Sequence, residues 1–348
     1  MYSAYGCAHS VDNFSFRNIS SLISIIGKME SPPEFCGICS LNILEITPFF
    51  EGNNNGRWIE FLQQHSIIKK EELCPKCGAC CEMKTRKRKE REPKIYWACY
   101  KSYIPAGDED FVRVKCNYLK SVTSGTWFEK VHLGFSENLI LLHMYCENEF
   151  KREQAARIVH LSMKTVTDYT NFYREVFLDY CASNSSEIGG EGKVIQIDEA
   201  KFGKRKYHRG RYIDGKWIFG GIEMGSKKNF FVHVEDRSRA TLLRVIKEWV
   251  APGTTIVSDC WKAYNCLEDE GFHHLVVNHS MNFVDPSTGA NTNLIERQWR
   301  DLRSILQKMG PKVDFDGHLA RIMFFKKFPN VSERVHVFWT HVGKMYAK

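Results

Sequence analysis

The chain is 348 residues long, 43% hydrophobic and 13% aromatic, enough for two or three packed domains and too apolar for a disordered chain. Its 49 Lys and Arg against 41 Asp and Glu leave a net charge of +8, a moderate excess, so it is the clustering of basic side chains that points to a polyanion such as nucleic acid. No apolar run approaches the roughly 20 residues of a membrane span, the first residues lack the basic and apolar regions of a secretion signal, and thirteen cysteines, an odd number, fit reduced thiols and a metal site better than a disulfide framework.

Residues 1–56 form an extension of unassigned role. Up to residue 50 it carries Arg17 and Lys28 against Asp12, Glu30, Glu34 and Glu45, a poor DNA-binding arm. Cys36-Gly37-Ile38-Cys39 has metal-ligand spacing but no evident second pair. After the turn-like Asn53-Asn54-Asn55-Gly56, the apolar positions Trp58, Ile59, Phe61, Leu62 and Ile67 predict a short amphipathic helix within 57–70.

Residues 57–130 read as a zinc-ribbon-like module. Cys74-Pro75-Lys76-Cys77-Gly78 is a knuckle in which two thiolates, two residues apart, grip one tetrahedral Zn²⁺. Cys99 and Cys116, each closing an alternating strand-like run, are the candidates for the second half, with Cys80 and Cys81 as competitors and buried metal-free thiols as the plain alternative. Between the halves, Lys84-Thr85-Arg86-Lys87-Arg88-Lys89-Glu90-Arg91 is open to three readings: a solvated loop, a phosphate-contacting loop, or a nuclear localisation patch that would place the protein in the nucleus.

Residues 131–182 hold a helix from Ser136 to about Glu149, then a helix-turn-helix pattern over Lys151 to Tyr169. Ala155 and Ala156 permit close helix crossing, Leu161 fills the turn, Ser162 caps the second helix, and Lys164, Thr165 and Thr167 face a DNA groove. A plain helical hairpin is the alternative. The polar, glycine-rich stretch 183–192 is read as a linker.

From residue 193 the pattern is strand, strand, strand, helix, strand, helix, strand, helix, which gives an α/β fold of the ribonuclease H-like type with a mixed five-stranded sheet. The strands are Val194 to Asp198, Lys216 to Met224, Asn229 to Val234, Thr254 to Asp259 and His274 to His279. The helices are Ala240 to Val250, capped by Ser238, then Lys262 to Glu268, and a long one from about Thr292. Strands one and four are neighbours in that order, so Asp198 and Asp259 face each other at adjacent strand ends while the last helix sets Glu296 beside them. Three carboxylates so placed suit two Mg²⁺ or Mn²⁺ ions and phosphodiester displacement chemistry. Glu199 is a competitor that strand alternation turns to the opposite side. The run Lys201-Phe202-Gly203-Lys204-Arg205-Lys206-Tyr207-His208-Arg209-Gly210-Arg211 contains six basic residues and no acid. Its Lys201, Lys204, Arg205, Lys206, Arg209 and Arg211 are candidates to clamp substrate phosphates.

Three blocks carry a resemblance to a known family. Ile197-Asp198-Glu199-Ala200-Lys201-Phe202-Gly203-Lys204-Arg205-Lys206-Tyr207 resembles the first-aspartate block of the Merlin superfamily of DNA transposases and their bacterial ISXO2-like insertion-sequence relatives. Ser258-Asp259-Cys260-Trp261-Lys262-Ala263-Tyr264 resembles the second. Val277-Asn278-His279-Ser280-Met281-Asn282-Phe283-Val284-Asp285-Pro286 resembles the segment before the glutamate, and Asn291 stands where many relatives have histidine. The resemblance implies an Asp-Asp-Glu transposase domain over 193–348 that binds double-stranded DNA at terminal inverted repeats. It would cut the element out and join it to target DNA as a homodimer or larger multimer, with no membrane partner. A tamed descendant that binds DNA without cutting it is the alternative, and a plain nuclease a third reading.

Overall fold

The computed structural model describes residues 36–50, 55–88, 91–105, 112–203, 215–226, 228–277, 290–306 and 314–346. Among these, two compact units separate, one holding residues up to 170 together with those from 328 onward, the other residues 171–327.

The first unit opens with helices α1 (Ile43–Phe50) and α2 (Asn55–Gln64). The amphipathic helix expected within 57–70 therefore stops at Gln64. Ser66 adopts a left-handed φ of 57°, and the N–H groups of Ile67 and Ile68 fold back onto the Leu62 carbonyl. Strands β1 (Glu82–Arg88) and β2 (Arg91–Cys99) follow, then the short β3 (Ser102–Tyr103) and β4 (Val114–Lys115), and β5 (Tyr118–Ser121). They make a three-stranded antiparallel sheet in the order β1-β2-β5 and a β3-β4 ladder. Helix α3 (Phe135–Cys146) is buried nearly all round. Next come α4 (Arg152–Ile158) and α5 (Met163–Ser183), separated by a turn in which His160 has φ 52°. Ala155 and Ala156 are buried as expected, but the buried apolar residue of the turn is Val159, with Leu161 only half-buried. Ser162 Oγ accepts the Thr165 N–H at 3.0 Å, capping α5.

The second unit takes the remainder of α5 and a mixed sheet. β6 (Ile188–Gly189) lies within the stretch read as a linker, because it pairs in parallel with β10 (Val250–Ala251). The main sheet comprises β7 (Val194–Phe202), β8 (Lys216–Glu223), β9 (Asn229–Val234), β11 (Thr255–Asp259) and β12 (His273–Val277), in the order β12-β11-β7-β8-β9. β7 is antiparallel to β8 and parallel to β11, so strands one and four are neighbours as expected. Between β9 and β10 runs α6 (Arg239–Trp249), with Ser238 Oγ accepting the Thr241 N–H. Leu242, Val245, Ile246 and Trp249 of α6 pack with Ile195 and Ile197 of β7 and with Phe219 and Phe230. The helix expected over 262–268 is instead a 3₁₀ turn, Lys262–Tyr264, followed by turns. Tyr264 and Leu267, three apart, are both buried, a spacing that stacks side chains at three residues per turn. Helices α7 (Asn293–Leu306) and α8 (Phe315–Lys327) complete this unit.

The chain closes with α9 (Val331–Tyr346), part of the first unit. Its Trp339 meets Phe61, Trp127, Phe128 and Phe135 at ring-centroid distances of 5.5–6.3 Å, an aromatic core for that unit. Among the described residues no helix is long and apolar enough to cross a membrane.

Arg334 of α9 is buried and donates to the carbonyls of Phe328, Cys146 and Pro329 and to Asn148 Oδ1 at 2.6–3.1 Å. Hydrogen bonds from a charged donor contribute about 1.5–3 kcal/mol, and removing the donor strands buried acceptors. Arg334→Ala is expected to destabilise the chain by roughly 3 kcal/mol or more, read as a lower urea midpoint by tryptophan fluorescence. An unchanged midpoint would show that this guanidinium does not join α3 to α9.

Candidate active site and cysteine centre

The carboxylates of Asp198, Asp259 and Glu296 line one open cavity of about 430 Å³, together with Thr292, Trp299, Arg300 and Arg303. Their placement starts with strand alternation. In β7 the side chains of Ile195, Ile197 and Glu199 turn toward α6 and the 3₁₀ turn, whereas Gln196, Asp198 and Phe202 turn toward α7. Gln196, fully buried, accepts the N–H groups of Leu294 and Ile295 through Oε1 at 2.9 and 3.2 Å, satisfying donors that the first turn of α7 leaves unpaired. Its Nε2 donates to Asn291 Oδ1 at 3.2 Å, and that same oxygen accepts the Asn293 N–H at 3.3 Å. Asn291 therefore belongs to the cap that fixes α7 on the sheet.

Asp198 Oδ2 accepts the Trp299 indole N–H at 2.8 Å, and its Oδ1 accepts the Glu199 N–H at 2.8 Å. Trp299 can lie this close because Asp198 is registered opposite Gly220. A Cβ on Gly220 would stand 2.6 Å from the Phe231 ring and 2.8 Å from the indole. Burial pushes the Asp198 carboxyl up to about 7. The Trp299 hydrogen bond opposes the shift, and the charges of Glu199 and Asp259 add to it. Asp259 ends β11 and accepts the Trp261 N–H at 3.0 Å. Glu296, exposed on the first turn of α7, accepts the Thr292 hydroxyl at 2.9 Å.

Glu199 lies on the other face, as alternation requires, and accepts the Tyr264 hydroxyl at 2.7 Å. Burial raises its pKa too. Sequence reasoning missed Arg300 and Arg303 as site residues. They follow Glu296 at i+4 and i+7 on one helix face, a spacing that was available as the signal.

The candidate phosphate contacts divide. Lys204, Arg205, Lys206, Arg209 and Arg211 lie outside the described residues, as do residues 278–289 of the third resemblance block. Lys201 sits on the α6 side of β7, its Nζ 5.6 Å from the centroid of the Trp217 ring. In α5, exposed Lys164 pairs with Asp168 at 2.8 Å, while Thr165 and Thr167 hydrogen-bond to Ser162 Oγ and the Met163 carbonyl. Of the basic run 84–91, Lys84 is exposed and paired with Glu82.

In the first unit, Cys74, Cys77, Cys99 and Cys116 bring their sulfurs within 4.8 Å of one another, with Cys77 and Cys99 at 3.6 Å. A tetrahedral Zn²⁺ with Zn–S of about 2.3 Å separates sulfurs by roughly 3.8 Å, so this set fits zinc. Cys74 follows Leu73, whose bridge to Cys80 tightens the knuckle, and Gly78, at φ 69°, turns the chain back so that its N–H reaches the Cys74 carbonyl. Burial resists ionisation of Cys74, but the Lys76 and Cys77 N–H groups aimed at it bring the thiol down to about 7. Cys99 ends β2 and Cys116 follows β4. The competitors lie outside the set: Cys80 is exposed, and burial pushes Cys81 up to about 11.

Residues 187–321 match the model of the ISXO2-like transposase domain. An uncharacterized transposase-like protein of Haemophilus influenzae is 32% identical over 94 residues, which cover 26% of this chain and 75% of that protein. The span 187–321 contains the three carboxylates and the strands and helix that hold them, and with the similarity to the Haemophilus protein the chain belongs to a transposase family.

Proposed function

We propose that this chain is a cut-and-paste DNA transposase of the Merlin type, in which Asp198, Asp259 and Glu296 form the divalent-metal site of a ribonuclease H-like domain. One observation carries the reading: three hard oxygen donors from two neighbouring strands and a helix line the same cavity, with Arg300 and Arg303 on its wall. Carboxylate oxygen is the donor that Mg²⁺ and Mn²⁺ prefer. When bound, two such ions supply activation of the attacking water or 3′-hydroxyl and stabilisation of the leaving oxygen.

The protein's own residues do the rest. Asp198 is oriented by the Trp299 indole, Glu296 by the Thr292 hydroxyl, and α7 as a whole by Gln196. Arg300 and Arg303 present guanidinium groups for the scissile phosphate and its neighbours. Lys164, Thr165 and Thr167 at the start of α5 are assigned to end-sequence reading in a helix-turn-helix, and the basic run 201–211 to the phosphates of the same duplex. The four-cysteine Zn²⁺ centre is structural, since four protein sulfurs leave no open position.

Strand-cleavage assays on duplex DNA carrying the flanking inverted repeats test this reading. Asp198→Asn, Asp259→Asn and Glu296→Gln are expected to abolish Mg²⁺- or Mn²⁺-dependent nicking while gel-shift affinity for the same DNA stays within about twofold. Trp299→Phe, which removes an outer contact of a ligand, is expected to lower the rate by roughly 10–100-fold. Cutting by the acid variants at the wild-type rate would remove the mechanism, and DNA binding without cutting by the wild type would establish the tamed, binding-only alternative.

The metal-free carboxyl of Asp198 holds its proton up to about pH 7, and a cation must displace that proton to bind. Mn²⁺ affinity, followed by calorimetry, is therefore expected to rise about tenfold per pH unit below 7 and to level off above it. A flat profile between pH 5.5 and 7 would contradict the assignment of Asp198 as a ligand.

A further inference from the structure

The pair Cys36 and Cys39 finds its missing partners far away in the sequence. His65, just past the end of α2, and His336, on α9, converge on it, and the four ligand atoms all lie within 4.8 Å of one another. All four residues are buried, at 2%, 0%, 2% and 7% exposure. His65 Nε2 is 3.6 Å from Cys36 Sγ, 3.4 Å from Cys39 Sγ and 3.2 Å from His336 Nδ1.

These separations discriminate between a hydrogen-bonded cluster and a metal site. His65 Nδ1 lies 2.9 Å from the Phe61 carbonyl, an acceptor that fixes the ring proton on Nδ1 and leaves Nε2 with one lone pair. One lone pair accepts one hydrogen bond, yet three polar atoms crowd around it. A tetrahedral Zn²⁺ with Zn–S of about 2.3 Å and Zn–N of about 2.0–2.1 Å would separate sulfur from nitrogen by roughly 3.6 Å and nitrogen from nitrogen by roughly 3.3 Å, close to the spacings found. A ligating histidine whose other nitrogen donates to a backbone carbonyl is the usual outer arrangement of such sites. The Cys39 N–H, 3.3 Å from Cys36 Sγ, adds a donor to a thiolate. Gly343, seven residues and so about two turns after His336, lets α9 lie directly on the His65 carbonyl, where any Cβ would collide.

We infer that Cys36, Cys39, His65 and His336 form a second, structural Zn²⁺ centre, which ties the segment around residue 36 and the end of α2 to α9. Four protein ligands and complete burial leave no position for substrate, so this ion holds the unit together and takes no part in strand cleavage.

The full-length chain, purified under reducing conditions with Zn²⁺ supplied, is the material for the test, and metal content per chain is the readout. Two zinc ions are expected in the wild type and one in Cys116→Ser. Cys116→Ser combined with either Cys36→Ser or His336→Gln is expected to hold none. Because those double variants can fail to fold, Co²⁺ is also loaded into Cys116→Ser alone, where the 36/39/65/336 ligands are intact. There the thiolate-to-cobalt absorption is expected at about half the intensity of the four-cysteine centre, in keeping with two sulfurs. A single zinc in the wild type, a Cys116→Ser chain without metal, or retention of that metal after His336→Gln would each overturn the inference.

Discussion

Strand β7 runs between an antiparallel neighbour, β8, and a parallel one, β11, and the two-residue alternation along it is the constraint from which the candidate site follows. A single strand cannot slip by one residue without exchanging its faces, and here each face is committed. Ile195 and Ile197 fill the core under α6, so Gln196 and Asp198 must face α7. Gln196 then fixes the start of that helix, and Asp198 receives the indole of a residue one turn further along. The strand therefore positions two of the three acids, Asp198 directly and Glu296 through the helix it caps. Asp259 follows from the parallel register of β11 on β7.

The electrostatics follow from the same geometry. Asp198, Asp259 and Glu199 approach the sheet's end from both faces, and their mutual repulsion together with burial raises Asp198 well into the neutral range. Carboxylates gathered in this way favour an added divalent cation over remaining ionised together. Arg300 and Arg303 line the same cavity from an exposed helix face, where their attraction for the acids is screened by solvent.

Much of this was legible before any coordinates. A strand ending in Asp259, the Ser238 cap and the opposite orientation of Glu199 follow from local alternation and spacing, whereas the strand expected to end at Asp198 runs on to Phe202 in a hairpin with β8, and Cys99 and Cys116 stood as candidates beside Cys80 and Cys81. What was not legible has a physical cause in each case. The turn after Asp259 contains an apolar spacing of three that a helical pattern also satisfies. The roles of Gln196, Gly220 and Asn291 are contacts between elements, with no trace in the periodicity of either. His65 and His336 stand 29 and 300 residues from Cys36, and nothing near either histidine signals a ligand, whereas a knuckle such as Cys74-Pro75-Lys76-Cys77 announces itself.

The two kinds of donor also suit different ions. The first unit gathers sulfur and imidazole nitrogen in closed, buried sets, which select Zn²⁺ by softness and by tetrahedral spacing. The second unit offers carboxylate oxygens lining an open cavity, which suits Mg²⁺ because that ion keeps several waters and binds through few protein ligands. The first unit's three-stranded sheet, with strands of four to nine residues, and its two-residue β3-β4 ladder are too small to bury much apolar surface by themselves. Zn²⁺ bound there would add directly to folding free energy. The carboxylate cavity is already braced by hydrogen bonds to Trp299, Thr292 and Gln196, so a cation bound there would exchange without unfolding the scaffold. On the proposed assignment, permanence in one set and exchange in the other would thus follow from ligand chemistry and burial.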